Sequence, residues 1–230
     1  MKKILLVAVA LFGLIALPGL SHAEPYVSAY VGGAFPQDAD IVDNTGLGLT
    51  GTTEFDTGLA LGLKGGYWFT QENAPFLGIQ LDINRHDTTA KTTMSGVVAG
   101  FPVGLASEND VTVTSYTANV LFRSPEGNIR PYAGIGAGWF TGEIDDGIGA
   151  VAILDPFTGT LITVTGPIQG TNDTAFGWQV LAGVDFIINP NLSVFGEYKY
   201  SRADFSFGGD IATDLEYGVS QVYGGVSYHF

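Results

Sequence analysis

The chain has 230 residues, 46% hydrophobic, 12% aromatic and 14% charged, with 33 glycines, no cysteine, and 9 basic against 23 acidic side chains. So few charges beside so many aromatics exclude a disordered chain. The net charge of −14 argues against nucleic acid as a partner, and without cysteine there is neither a disulfide nor a thiolate metal site.

The chain opens on Met1-Lys2-Lys3, an unbroken apolar run over 4–17, a Pro18-Gly19 break and then Ser21-His22-Ala23. That order is the three-part pattern of a secretory signal peptide, residues 1–23, cleaved after Ala23. The run is short of the roughly 20 residues a membrane-spanning helix needs. The expected mature chain is 24–230, and no later stretch is apolar and long enough for a transmembrane helix.

From there the sequence alternates with period 2. Candidate strands, in order, are 25–35, 55–69, 76–86, 111–123, 130–140, 174–188, 192–205 and 218–230. In 55–69, Phe55, Thr57, Leu59, Leu61, Leu63, Tyr67 and Phe69 share one parity and Asp56, Gly58, Gly62 and Lys64 the other. In 76–86, Leu77, Ile79, Leu81 and Ile83 alternate with Gly78, Gln80, Asp82 and Asn84. Most of these runs exceed the usual soluble strand of about 5–6 residues and suit a tilted membrane strand of about 9–11. Short connections rich in turn formers, at 70–75, 124–128 and 189–191, alternate with long ones at 36–53, 87–110, 141–172 and 206–217. This is the layout of an outer-membrane barrel, all-β, with an even number of strands and both termini at the short-turn end. Two long connections can carry hairpins of their own: 150–154 with 160–165, and 94–100 with the segment from Phe101. If one of these crossed the membrane there would be ten strands. Their arms are short, and eight is the reading.

A soluble lipocalin-like barrel has the same period with its apolar face inside. Three features favour a membrane barrel. The apolar face is nearly free of charge. Aromatics stand near strand ends, as an interfacial girdle requires: Tyr67, Phe69, Phe122, Trp139, Phe140, Phe176, Trp178 and Phe186. The chain also ends with Val222, Gly224, Val226, Tyr228 and Phe230 on one parity.

Several segments carry a resemblance. They are Tyr26-Val27-Ser28-Ala29-Tyr30-Val31-Gly32-Gly33, Arg130-Pro131-Tyr132-Ala133-Gly134-Ile135-Gly136-Ala137-Gly138, Gly183-Val184-Asp185-Phe186, Glu197-Tyr198-Lys199-Tyr200 and Gly224-Gly225-Val226-Ser227-Tyr228-His229-Phe230. Together they resemble the small outer-membrane β-barrel family, the opacity-protein and OmpX group and the membrane domain of OmpA, over essentially all of 24–230. The resemblance implies an eight-stranded antiparallel up-and-down transmembrane β-barrel in the outer membrane of a Gram-negative envelope. Lipid and lipopolysaccharide would surround it. Periplasmic chaperones and the barrel-assembly machinery would handle it, the latter reading Val226, Tyr228 and Phe230 as a C-terminal signal. The resemblance is weak for function, because the fold hosts adhesins, enzymes and structural proteins.

Parity turns Lys64, Arg123, Arg130 and Lys199 inward, with Glu54, Asp56, Asp82, Asp185 and Glu197. An eight-stranded barrel has an interior just wide enough for side chains to fill. Lys64, Asp82, Glu197 and Lys199 are expected to meet near mid-height, where buried charges must be paired, as a structural plug or, more sharply, as a gate in a narrow pore. The inward glycines Gly58, Gly62, Gly134, Gly136 and Gly138 leave space opposite bulky partners such as Trp68 and Tyr132. Arg85 and Arg202 face outward near the long-loop end, where lipopolysaccharide phosphates would lie. The long connections hold 13 acids against Lys91 alone, so most of the acidity belongs to the predicted cell exterior. Among them, Asp38-Ala39-Asp40-Ile41-Val42-Asp43-Asn44 lacks the glycine and distal Glu of a calcium loop.

The mature chain has two histidines, His86 and His229, and no adjacent His-Ser pair of the kind that lipid A deacylases use. A triad assembled across strands is still compatible with the sequence. No cofactor or metal is implied. The reading is a non-enzymatic, monomeric barrel presenting long acidic loops, in a structural or adhesive role, to an extracellular ligand. A small or gated porin-like channel is the alternative, and a lipid A-modifying enzyme comes third.

Overall fold

A computed structural model describes residues 23–42, 49–70, 75–98, 100–154, 158–207 and 213–230. Residues 1–22 of the predicted signal peptide, the turn at 71–74 and the acids Asp43, Asp155 and Asp210 lie outside the described residues. Among the described residues there are twelve strands: β1 Ala23–Pro36, β2 Ala39–Val42, β3 Thr50–Phe55, β4 Gly58–Phe69, β5 Leu77–Val98, β6 Phe101–Arg123, β7 Ile129–Ile144, β8 Gly147–Leu154, β9 Leu161–Ile168, β10 Thr171–Asn189, β11 Leu192–Phe207 and β12 Thr213–His229.

Eight of them hydrogen-bond in an antiparallel circuit. The order is β1, β4, β5, β6, β7, β10, β11, β12 and back to β1. The remaining four hang on the outer ends of two ring strands. β3 pairs with β5 from Phe55↔Ala90 to Thr50↔Ser95, and β2 pairs with β3. β8 pairs with β6 from Glu108↔Ile148 to Val103↔Ile153, and β9 pairs with β8. The hairpins expected at 150–165 and 94–104 therefore exist but add no strands to the ring. The 87–110 segment, read as a loop, is instead the far end of one long β5–β6 hairpin that turns at Gly100, φ 88°.

The inside of the ring is closed by matching large residues to glycine across strands. Trp68 pairs with Gly78 and Tyr132 with Gly183. A Cβ on Gly78 would stand 2.5 Å from the Trp68 ring, and one on Gly183 would stand 2.6 Å from the Tyr132 ring. Such contacts leave no room for a side chain. The ring seats are thus the residues directly in register.

Outside, exposed aliphatic side chains lie between two aromatic zones. Tyr116, Trp139 and Phe176 adjoin one another in register, Trp139 and Phe176 at 6.0 Å between centroids. Toward the short turns, Phe76 stacks on Phe122 at 6.3 Å and Tyr228 meets Phe230 at 5.0 Å. One pleat beyond the Tyr116 row the outward residues become Arg85, Thr114, Thr141 and Thr174. That switch marks the outer limit of the apolar band. Among the described residues no helix is long and apolar enough to cross a membrane, and this chain crosses with strands. From Arg85 to the end of β5 the hairpin continues about 45 Å at ~3.3 Å per residue.

Three parity expectations are corrected. Glu54 and Asp56 are exposed, whereas parity had turned them inward. The register shows why: from 55 to 59 the chain advances four residues while its partner moves three, from Ala90 to Asp87. One extra residue flips every side chain beyond it. Phe55 accordingly packs inward against Tyr217, at 5.8 Å. Phe140, assigned to the girdle, lies on the inward parity of β7 and is buried. Tyr67 keeps the outward parity of Leu61 and Leu63 but is also buried.

Candidate functional site

The lumen is layered. At mid-height Lys64 Nζ stands 2.6 Å from Glu197 Oε2, and Lys199 is ion-paired with Asp82 and 3.9 Å from Glu197 Oε1. The Tyr132 hydroxyl donates to Glu197 Oε2 at 2.8 Å and the Tyr30 hydroxyl to Asp82 Oδ1 at 2.5 Å. Lys64 Nζ also sits 3.8 Å from the centre of the Phe195 ring. The structure thus brings together Lys64, Asp82, Glu197 and Lys199, all buried, as two cations and two anions. A charge removed from water needs such a partner, because an unpaired one costs several kcal/mol.

Toward the outside, the next layer is neutral and hydrogen-bonded. Asn84 donates to the Tyr223 hydroxyl at 3.0 Å, Gln221 donates to Asn84 Oδ1 at 3.1 Å, and His86 Nε2 lies 2.6 Å from the Tyr217 hydroxyl. Beyond it the interior turns apolar. Ala34, Ala60, Val111, Val113, Phe140, Ala203, Phe205 and Val219 form one buried cluster. Sequence reading placed a charged plug at mid-height and did not foresee this cap. Its signal was there in the alanines, valines and phenylalanines on the inward parity of the outer strand ends.

Toward the short turns, Glu24 is a hub. Its carboxylate is 2.6 Å from Arg123 Nη2, 3.9 Å from Arg130 Nη1 and 2.7 Å from His229 Nδ1, the last off the line of a good hydrogen bond. Arg123 also lies 4.3 Å over the Trp68 ring. His229 Nε2 is 3.0 Å from Ser193 Oγ and 3.9 Å from Asp185 Oδ2. Ser193, His229 and Glu24 therefore stand in the order of a Ser-His-carboxylate relay, contributed by β11, β12 and β1. Scanning for adjacent His-Ser could not find it. Only the shared inward parity of three distant positions pointed there. Ser193 is completely buried.

Arg85 and Arg202 are outward at the rim, but each is engaged by carboxylates of its own wall. Arg85 Nη2 is 3.1 Å from Asp87 Oδ1, which also accepts from Thr112 at 2.8 Å; Arg202 pairs with Glu216. Further out, a hydrogen bond to Asp56, 2.7 Å away, raises the Lys91 ammonium above its ordinary pKa. Asp38 Oδ1 accepts from the Phe55 amide at 3.1 Å. Among the described residues no group of three or more His, Asp or Glu side chains is placed to hold a metal. At the chain end, Val226, Tyr228 and Phe230 are exposed on the outer face, and the Phe230 amide donates to Pro25 O at 3.0 Å across the β1–β12 seam.

An apolar exterior band, paired charges buried in the interior and an antiparallel circuit of eight strands mark a membrane barrel. Residues 4–230 match the family described as outer membrane protein beta-barrel domain. The chain belongs to that family. It lies in the outer membrane, in contact with its lipid. Among solved structures it is similar to neisserial surface protein A, at 17% identity over 90% of this chain and 99% of that one, TM-score 0.52. It is also similar to OprG from Pseudomonas aeruginosa, at 16% identity over 91% and 97%, TM-score 0.51. At these identities the likeness is one of fold. No curated protein matches the chain in sequence.

Proposed function

We propose that this outer-membrane barrel is a non-enzymatic surface protein, a plugged ring that carries an acidic, strand-built sheet outside the cell for structural or adhesive contact. The observation that carries the reading is the contrast between a lumen filled layer by layer and a β5–β6 hairpin that runs far past the aromatic row. The paired charges and the apolar cap in series argue against a pore. The complete burial of Ser193 argues against hydrolysis at the Ser193–His229–Glu24 relay. Glu54, Glu108, Asp110, Glu143, Asp145 and Asp146 are exposed on the outer strands and their turns, which favours a cationic extracellular ligand.

In the same reading Arg85 and Arg202 share their guanidinium groups with lipopolysaccharide phosphate. Val226, Tyr228 and Phe230 engage the assembly machinery after periplasmic chaperones deliver a chain cleaved behind Ala23. The barrel works as a monomer. The deciding experiment compares cells carrying the intact chain with cells in which Glu54, Glu108, Asp110, Glu143, Asp145 and Asp146 are replaced by the matching amides. Lost adhesion with unchanged heat-dependent gel migration is the expected result. Steady conductance steps in a planar bilayer, a change in lipid A acylation, or fluorophosphonate labelling of Ser193 would each overturn the proposal.

A further inference from the structure

We infer that the lower lumen contains a single-water site between Gln80 and Asp185, filled from the periplasmic side and sealed from the cell exterior. This inference stands apart from the surface role proposed above.

A cavity of ≈ 20 Å³ lies between the mid-height ion pairs and the Glu24 hub, walled by Tyr26, Gln80, Tyr132, Asp185, Ser227 and His229. Three buried polar atoms on its lining residues have no hydrogen-bond partner among the described residues. One, His229 Nδ1, faces the Glu24 carboxylate at 2.7 Å; the other two are Gln80 Nε2, a donor, and Asp185 Oδ1, an acceptor. The Gln80 amide is oriented, because the Tyr26 hydroxyl donates to its Oε1 at 2.9 Å. Buried polar groups of this kind are expensive to leave unmade. The occupant must accept from an amide and donate to a carboxylate. A metal cation fails the first requirement, since the amide hydrogens and the Lys64 ammonium on the same wall repel it. An anion fails the second. Water meets both, and a cavity just above the ~10–15 Å³ that one water occupies admits little else.

The direction of filling follows from exposure. Side-chain exposure falls from 26% at Glu24 and 21% at Arg130 to 11% at Asp185, 3% at His229 and 0% at Glu197. Past the ion pairs and the neutral polar layer, the way out is closed by Val113, Phe140 and Phe205. The result is a hydrated stub that opens inward and ends at the Lys64–Glu197 pair.

Hydroxyl-radical footprinting of the full chain in lipid nanodiscs, after rapid mixing into ¹⁸O water, reads this directly. Tyr132 and Tyr217 are both buried tyrosines, one on the cavity wall and one in the layer beneath the apolar cap. The expected result is several-fold faster oxidation of Tyr132 than of Tyr217, with ¹⁸O incorporated, and the same preference for Leu121 over Val113. In the Gln80→Leu variant, Tyr132 falls to the level of Tyr217. Equal protection of Tyr132 and Tyr217 in the unaltered chain would overturn the proposal, whether or not the variant folds. Labelling of Tyr217 at the rate of Tyr132 would overturn the one-sided filling.

Discussion

Strand β5 passes through two settings, and they use the same alternation differently. Between Leu77 and Ile83 its outward side chains are apolar and meet lipid, while Gln80, Asp82 and Asn84 are buried in the lumen. Beyond Ala90, the last residue of the strand in the buried cluster, there is no core on either side, and from Lys91 to Val98 its residues alternate between exposed and half-exposed. β9, at the edge of the outer sheet, is exposed along almost its whole length. In the lipid-spanning part the strands are held by layered packing as well as by their hydrogen-bond ladders. In the outer sheet the ladders carry most of the work, helped by contacts such as Thr53 Oγ1 to Thr92 Oγ1 at 2.8 Å. Period 2 therefore reports a pleat. Whether the pleat is buried depends on what closes around it.

The contrast can be broken most severely at mid-lumen. Lys199→Met strands Asp82 as a buried unpaired charge and should lower unfolding free energy by about 3–5 kcal/mol, measured by urea titration in vesicles with gel mobility as the readout. Lys199→Met with Asp82→Leu should recover most of the loss, and a single variant as stable as the parent would refute the pairing. Next, Leu63→Arg puts a charge on the lipid face and should cost about 2–4 kcal/mol. Replacing Glu24 by Gln weakens its contacts with Arg123 and His229. Its partial exposure reduces the effect to about 1–2 kcal/mol, seen as a lower temperature for loss of the compact gel band. The smallest effect is expected for Val164→Arg on β9, within about 0.5 kcal/mol. A cost there comparable to that of Leu63→Arg would mean that the outer sheet has a covered face.

The membrane-spanning part was legible because each inward charge and each outward aliphatic had one environment to answer to. Lys64 and Lys199 could be placed by counting parity from Leu63 and Tyr198. Counting failed at Asp56, where an inserted residue changes the count without leaving a local mark. It found the β8–β9 hairpin only as short arms at 150–154 and 160–165, since segments such as Leu161–Ile168 bury almost nothing and so show no two-faced pattern to mark their ends. The Ser193–His229–Glu24 relay was out of reach for a different reason. Its members are neighbours only after β12 has met both β11 and β1, a relation that exists in the closed ring and in no window of sequence.

That seam also has a meaning in time. The other ring pairings join strands that follow one another around the meander, but β12 meets β1 across 199 positions for Ser28 and Ser227. Loop-closure entropy and high contact order make such a contact late and slow. Until it forms, the chain is an open sheet with two raw edges, and unpaired peptide groups at an edge are not tolerated in hydrocarbon. Closure and insertion are therefore one event: this barrel cannot enter the lipid strand by strand and wait for its last member.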